Sequence, residues 1–214
     1  KMPLVGGIVM FQSFATNLVP GVTASGQLYA RDFTAGTTSA ISLPNGGGTP
    51  NSSAQFALLG SPVSADGRFV TFLSGASNLV AGDTNGLSDV FVLDRSTGTL
   101  TRASVSSSES QGSGPSFSSA ISPNGQFVAF LSQATDLAGG SGLTHVFLRD
   151  LANGNTFLVS RADGPAGAFT AIGLNHLIDW ITKGKTPPHA PPIAVDRDTT
   201  NDGSLLALDE YGNA

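Results

Sequence analysis

Gly67-Arg68-Phe69-Val70-Thr71-Phe72-Leu73-Ser74 decides the fold, because the chain writes it more than once. It returns as Gly125-Gln126-Phe127-Val128-Ala129-Phe130-Leu131-Ser132, and a looser copy, Gly7-Ile8-Val9-Met10-Phe11-Gln12-Ser13, lies near the start. Each copy runs into the same continuation: Ala15-Thr16-Asn17-Leu18-Val19, Ala76-Ser77-Asn78-Leu79-Val80 and Ala134-Thr135-Asp136-Leu137-Ala138. The copies are spaced by about 60 residues, and a period of that order built from short alternating runs predicts an array of small antiparallel sheets.

The second copy shows the whole unit. Gln55 to Gly60 reads as a first strand, and Ser64-Ala65-Asp66-Gly67 as a turn whose glycine supplies a positive φ. Phe69 to Leu73 and Asp89 to Asp94 are the second and third strands, with Val90 and Val92 facing away from Phe91 and Leu93. Arg95-Ser96-Thr97-Gly98 turns the chain into a fourth strand from Thr99 to Val105, rich in Thr and β-branched residues. Four strands joined by hairpins make a meander, the shape of a propeller blade. The third copy repeats the plan through Pro115 to Ile121, Phe127 to Leu131, His145 to Asp150 and Thr156 to Ser160, with Asn153-Gly154 as a hairpin signal. The first supplies Ile8 to Phe11, Leu28 to Asp32 and Thr37 to Leu43, and its own first strand is missing. The expected architecture is all-β: about three tandem four-stranded antiparallel blades, an incomplete ring, over 1–54, 55–113 and 114–163. A helix-containing tail follows over 164–214.

The pattern Ser-x-Asp/Asn-Gly-x-x-Val-x-Phe-x-Ser, then Asp-Val-Phe-Val-x-Asp, then Thr-Gly resembles the TolB-like or WD-like β-propeller repeat over roughly residues 5 to 163. The resemblance implies a bacterial secreted or periplasmic protein. It implies a fold used as a binding platform, as a lid over hydrolase domains, or as a stand-alone exoprotein.

Composition narrows the function classes. Charged residues are 12% of 214, the net charge is −5, and the three lysines are Lys1, Lys183 and Lys185. No basic patch is available to neutralise a phosphate backbone, which argues against nucleic-acid binding. Cysteine is absent, so disulfides, thiolate catalysis and zinc–thiolate sites are excluded. No apolar run approaches the ~18 residues of a membrane span. The chain begins at Lys1 in what reads as the middle of a repeat, and the expectation is a mature or truncated product.

Beyond Gly164-Pro165 the pattern changes. Phe169, Ile172, His176, Leu177, Trp180 and Ile181 recur at spacings of three and four, predicting an amphipathic helix with Thr170 at its start and Lys183-Gly184 at its end. Pro187-Pro188 and Pro191-Pro192 impose an extended segment, and Ile193-Ala194-Val195 reads as a short strand. The stretch from Leu177 to Ala214, with Asp-Trp, Gly-x-x-Pro-Pro-x-Ala-Pro and Leu-Asp-Glu-Tyr-Gly-Asn-Ala, resembles the C-terminal part of a bacterial α/β-hydrolase-like family. Such a hydrolase needs a Gly-x-Ser-x-Gly elbow, and the chain contains none.

Four constellations are chemically suggestive. In Asp83-Thr84-Asn85-Gly86-Leu87-Ser88-Asp89, oxygen donors at Asp83, Asn85 and Asp89 around a glycine suit Ca²⁺; the other reading is an Asx-rich connecting loop. Asp198 to Asp209 follows part of an EF-hand loop, with Asp198, Asp202 and Asp209 as ligands, but Asp stands where a bidentate Glu belongs and Pro191-Pro192 disrupts an entering helix. A solvated acidic loop is its other reading. The histidines, His145, His176 and His189, show no metal spacing; His145 stands where the second copy has Asp89, which reads as a tolerant surface site. Asp32, Asp94 and Asp150 recur at the end of each third strand, a position that anchors the following turn by accepting backbone N–H groups.

Closed propellers use about four to eight blades, and this sequence carries roughly two and two-thirds. Blades bury their faces on one another, so an open stack leaves end faces bare, with three readings: the chain is a fragment of a longer propeller, it pairs with copies of itself, or residues 164–214 cover one exposed face. The expected function is therefore a non-enzymatic binding or assembly module that takes a protein partner or a second copy of itself. The other expectation is a fragment of a hydrolase whose catalytic residues lie elsewhere. Calcium is the one cofactor the sequence suggests.

Overall fold

The computed structural model describes residues 4–5, 7–57 and 60–160. The elements among them are strands: β1 (Leu4–Val5), β2 (Ile8–Ser13), β3 (Gln27–Asp32), β4 (Thr37–Ala40), β5 (Ala54–Gln55), β6 (Phe69–Ser74), β7 (Asp89–Asp94), β8 (Thr99–Arg102), β9 (Ser116–Ile121), β10 (Phe127–Ser132), β11 (His145–Asp150) and β12 (Asn155–Leu158). They form three four-stranded sheets, each with its strands hydrogen-bonded in chain order. All the pairings are antiparallel. Sequential antiparallel order is the meander that the repeat predicts. The expected tail unit over 164–214, with its helix and its Ile193–Val195 strand, lies outside the described residues.

Two strand readings change. The first sheet does carry a first strand: β1 pairs Leu4 with Val9 and Val5 with Ile8, and Gly7 at φ +82° helps turn the chain between them. A run of two residues is too short for its periodicity to register in sequence. Of the strand expected from Gln55 to Gly60, Gln55 pairs, with Ala54 before it, while Leu58 and Leu59 lie outside the described residues.

Side-chain alternation sorts the apolar residues into layers between sheets. Phe72 and Phe91 stand opposite each other in register, as do Phe130 and Phe147, and Phe11 and Tyr29. Each pair stacks, with ring centroids 5.7, 5.6 and 5.7 Å apart in that order. The Phe72–Phe91 face, with Val70 and Leu93, packs on Met10, Leu28 and Ala30 of the first sheet. The Phe130–Phe147 face, with Val128, packs on Leu73, Val90 and Val92 of the second. One face of each sheet thus meets the opposite face of the sheet before it, and the same joint is made twice. At the second joint Gly125 (φ +73°) lies against the Phe69 ring; a Cβ there would stand 2.2 Å from Phe69 Cδ2.

Candidate functional site

A serine after each fourth strand fixes the start of the third. Ser42 Oγ donates to Gln27 Oε1 at 2.7 Å and accepts the Leu28 N–H at 3.0 Å. Ser104 Oγ donates to Asp89 Oδ1 at 2.5 Å and accepts the Val90 N–H at 3.0 Å. Ser160 Oγ lies 3.1 Å from His145 Nδ1 and accepts the Val146 N–H at 3.0 Å. Gln27, Asp89 and His145 are chemically different residues in one structural position, and all three are buried. His145 is therefore no surface site: at 2% exposure it is part of the sheet's polar interior. The sequence comparison missed this because the recurring residue is the serine, while its partner changes.

Ser42 and Ser104 send their protons to Gln27 and Asp89, and Ser160 holds the same place beside His145 Nδ1. The other ring nitrogen, Nε2, meets the hydroxyl of the exposed Ser141 at 2.7 Å.

Asp83 and Asp89 do come together, around an arginine that sequence reasoning missed. Arg102 Nη1 lies 3.4 Å from Asp83 Oδ1 and 3.4 Å from Asp89 Oδ2, and donates to Gln111 Oε1 at 3.0 Å. Its Nη2 donates to the Gly82 carbonyl at 3.2 Å. Asn85 faces elsewhere, donating to the Gly112 carbonyl and accepting the Leu87 N–H. Asp83 Oδ1 and Arg102 Nε are buried without a hydrogen-bond partner. Burial pushes both carboxyls above their ordinary range; Arg102 opposes it at Asp83, and the Ser104 hydroxyl followed by Arg102 opposes it at Asp89. The two carboxyls share the one guanidinium. Among the described residues, no group of three or more His, Asp or Glu gathers in a form that could hold a metal ion. Asp198, Asp202 and Asp209, with His176 and His189, lie outside the described residues.

The recurring Asp32, Asp94 and Asp150 serve their turns. Asp32 Oδ1 accepts the N–H groups of Thr34 and Ala35, Asp94 Oδ1 that of Ser96, and Asp150 Oδ1 those of Ala152 and Asn153. Arg68 adds a bidentate bridge to Asp94 and holds its carboxyl well below the usual range. Burial pushes Asp150 up, but bonds from Asn153, Gln126 and Ala152 outweigh it and leave the carboxyl lowered.

An open groove of about 690 Å³ runs beside the second joint, lined by Ser106, Ser107, Ser108, Ser110, Asp136 and Leu137. Its one carboxylate is already engaged by Ser113, through both N–H and hydroxyl.

The end faces are the other feature. The outer face of the third sheet gathers Phe127, Ala129, Val146 and Leu148 into a third apolar cluster, with Leu131 and Val159 against it. Among the described residues, all of these but Val159, which directly follows β12, belong to the third sheet. At the other end, the Phe11–Tyr29 stack lies on the face of the first sheet turned away from the first joint.

A family model described as an alpha/beta hydrolase domain matches residues 142–214. The described part of that stretch, 142–160, contains β11 and β12, two strands of an antiparallel meander. No curated protein matches the chain. Among solved structures it is similar to TolB from Acinetobacter baumannii, at 17% identity over 76% of this chain and 33% of that one, with a TM-score of 0.41. It is similar also to a putative TolB from Agrobacterium tumefaciens (16% identity, 75% of this chain, 48% of that one, TM-score 0.44). A third is the β-propeller domain of the Trilobed protease from Pyrococcus furiosus (11% identity, 73% of this chain, 41% of that one, TM-score 0.43). The chain spans between a third and a half of the length of these proteins.

Proposed function

We propose that this chain is a non-enzymatic binding and assembly module, secreted or periplasmic, that engages a protein or another copy of itself through the outer faces of its end sheets. One observation carries the reading: among the described residues the third apolar cluster draws on no second sheet, whereas each of the other two spans two sheets. The absence of cysteine and the scarcity of lysine support the compartment, and no helix among the described residues is long and apolar enough to cross a membrane. Calcium bound at Asp83, Asn85 and Asp89, or at Asp198, Asp202 and Asp209, is the cofactor to test for. Light scattering across a wide concentration range tests the reading. Association, or capture of a defined protein, is the expected result, and a monodisperse monomer that binds nothing overturns it.

The hydrolase match over 142–214 favours a second reading, a piece of an esterase- or peptidase-like enzyme whose catalytic serine is elsewhere. Short acyl esters incubated with the chain give no turnover above buffer on the first reading; turnover that survives repurification establishes the second.

A further inference from the structure

We infer that the outer face of the first sheet is a docking face for the third sheet of a second copy, joined head to tail in the geometry of the two internal joints. The inference rests on the assembly reading above and names the surface and the partner. Two features by which the second and third sheets grip the sheet before them, one that the third sheet alone uses, and one that holds each sheet's entering linker are duplicated on the first sheet, where no described sheet precedes it.

The first is a leucine plug. In Ala76-x-x-Leu79 and Ala134-x-x-Leu137 both residues are buried in the joint with the preceding sheet, Leu79 at 1% and Leu137 at 3% exposure. The same motif at Ala15-x-x-Leu18 leaves Leu18 at 36% exposure. The second is the ring stack. Phe72–Phe91 and Phe130–Phe147 each press on the preceding sheet, and Phe11–Tyr29 occupies the equivalent register. Tyr29 is buried beneath its neighbours, while Phe11 and Val9 remain partly exposed.

The third is an arginine. In the third sheet, Arg149 Nη1 donates to Thr156 Oγ1 across the strand pair at 3.2 Å. It then crosses the joint to the Ser106 carbonyl at 3.2 Å, and its Nη2 meets the Glu109 carboxylate. Arg31 Nη1 donates to Thr38 Oγ1 at 3.1 Å from the matching positions. A guanidinium in that place accepts a turn bearing a carbonyl and a carboxylate. The fourth is a loop clasp. Asn78 Oδ1 accepts the Asn51 N–H at 3.0 Å, and Asp136 Oδ1 accepts the Ser113 N–H at 2.8 Å, each from the linker that enters the later sheet. Asn17 holds the same place and is exposed.

The surface that such a face receives is the one the second sheet turns to the third: Leu73, Val90 and Val92. The third sheet carries Leu131, Val146 and Leu148 at the corresponding register positions. Val146 and Leu148 are out of solvent in the single chain, so the contact competes with their present packing and grows with concentration. A joint between different faces is heterologous: it propagates, or closes as a ring. The described sheets of two copies number six, within the range of about four to eight in closed propellers.

Sedimentation velocity over a wide concentration range tests this on the full chain, with Leu18→Asp and Arg31→Glu as variants and circular dichroism confirming that each keeps its sheet spectrum. The expected result is reversible association of the wild type, weakened about tenfold or more in either folded variant. Association that both variants leave intact overturns this assignment and leaves the assembly reading standing. A wild type that stays monomeric while it captures another protein also overturns only this assignment; a monomer that binds nothing overturns both. Should one substitution prevent folding, the other decides.

Discussion

Asp89 Oδ1 receives the Ser104 hydroxyl at 2.5 Å, and the same hydroxyl accepts the N–H of Val90. A single serine thereby satisfies a buried carboxylate and a buried backbone donor where the third strand begins. Ser104→Ala leaves both groups short of a partner in a buried site, at about 1–3 kcal/mol for each group. We expect Ser104→Ala and Ser160→Ala to lower the denaturant midpoint measurably, while Ser108→Ala, on the open groove, changes it little. Equal midpoints for all three would contradict the clasp.

The stacked rings set the scale of the joints. Phe147 is fully buried against Phe130 in the layer shared with the second sheet. Phe147→Ala removes that contact and leaves a cavity, at about 3–5 kcal/mol. Phe33 is 67% exposed, and Phe33→Ala should be nearly silent. Urea unfolding of the two variants checks the contrast.

Acidity acts on two carboxylate groups in opposite directions. Asp83 and Asp89, raised chiefly by burial, bind protons more tightly in the folded chain than in the unfolded one. Their protonation therefore adds stability as pH falls through the raised values, and that gain is absent at neutral pH. Asp94, lowered chiefly by the Arg68 bond, contributes stability above the unfolded value of about 4 and loses it as pH falls through the folded one. Melting temperature should rise from neutral toward mildly acidic pH and fall in strong acid. Asp83→Asn should flatten the first change and keep the second.

Arg102 stands where the Asp83–Asp89 loop would otherwise seat a cation. Arg102→Met leaves two buried carboxylates without their counter-charge, at about 3–5 kcal/mol near neutrality. Calcium should raise the melting temperature of Arg102→Met more than that of the wild type, because the vacated oxygens then face a divalent ion. An equal change in the two would show that this loop takes no part in metal binding.

Much of this was legible in the chain. The meander followed from Gly67 to Ser74 and its copies, and the opposed faces of Val90 and Phe91 followed from period-two alternation. The turn-anchoring role of Asp32, Asp94 and Asp150 followed from their recurrence. What stayed hidden were partners distant in sequence. Arg102 sits at the end of β8 while Asp83 lies in the loop before β7, and nothing local ties a guanidinium to that loop. His145 looked variable because its neighbours in the repeat are Gln27 and Asp89, yet all three are buried behind a serine.

Local order came from the sequence by itself: strand, turn and pairing depend on backbone preference and alternation within a few residues, and a repeated pattern states them three times over. Only the tertiary structure decided which charges are neutralised and which repeated side chains are buried in a joint. Those depend on sheets stacking, a long-range packing that turns identical motifs to different ends: Leu79 and Leu137 seal a joint, while Leu18 stands open at the edge.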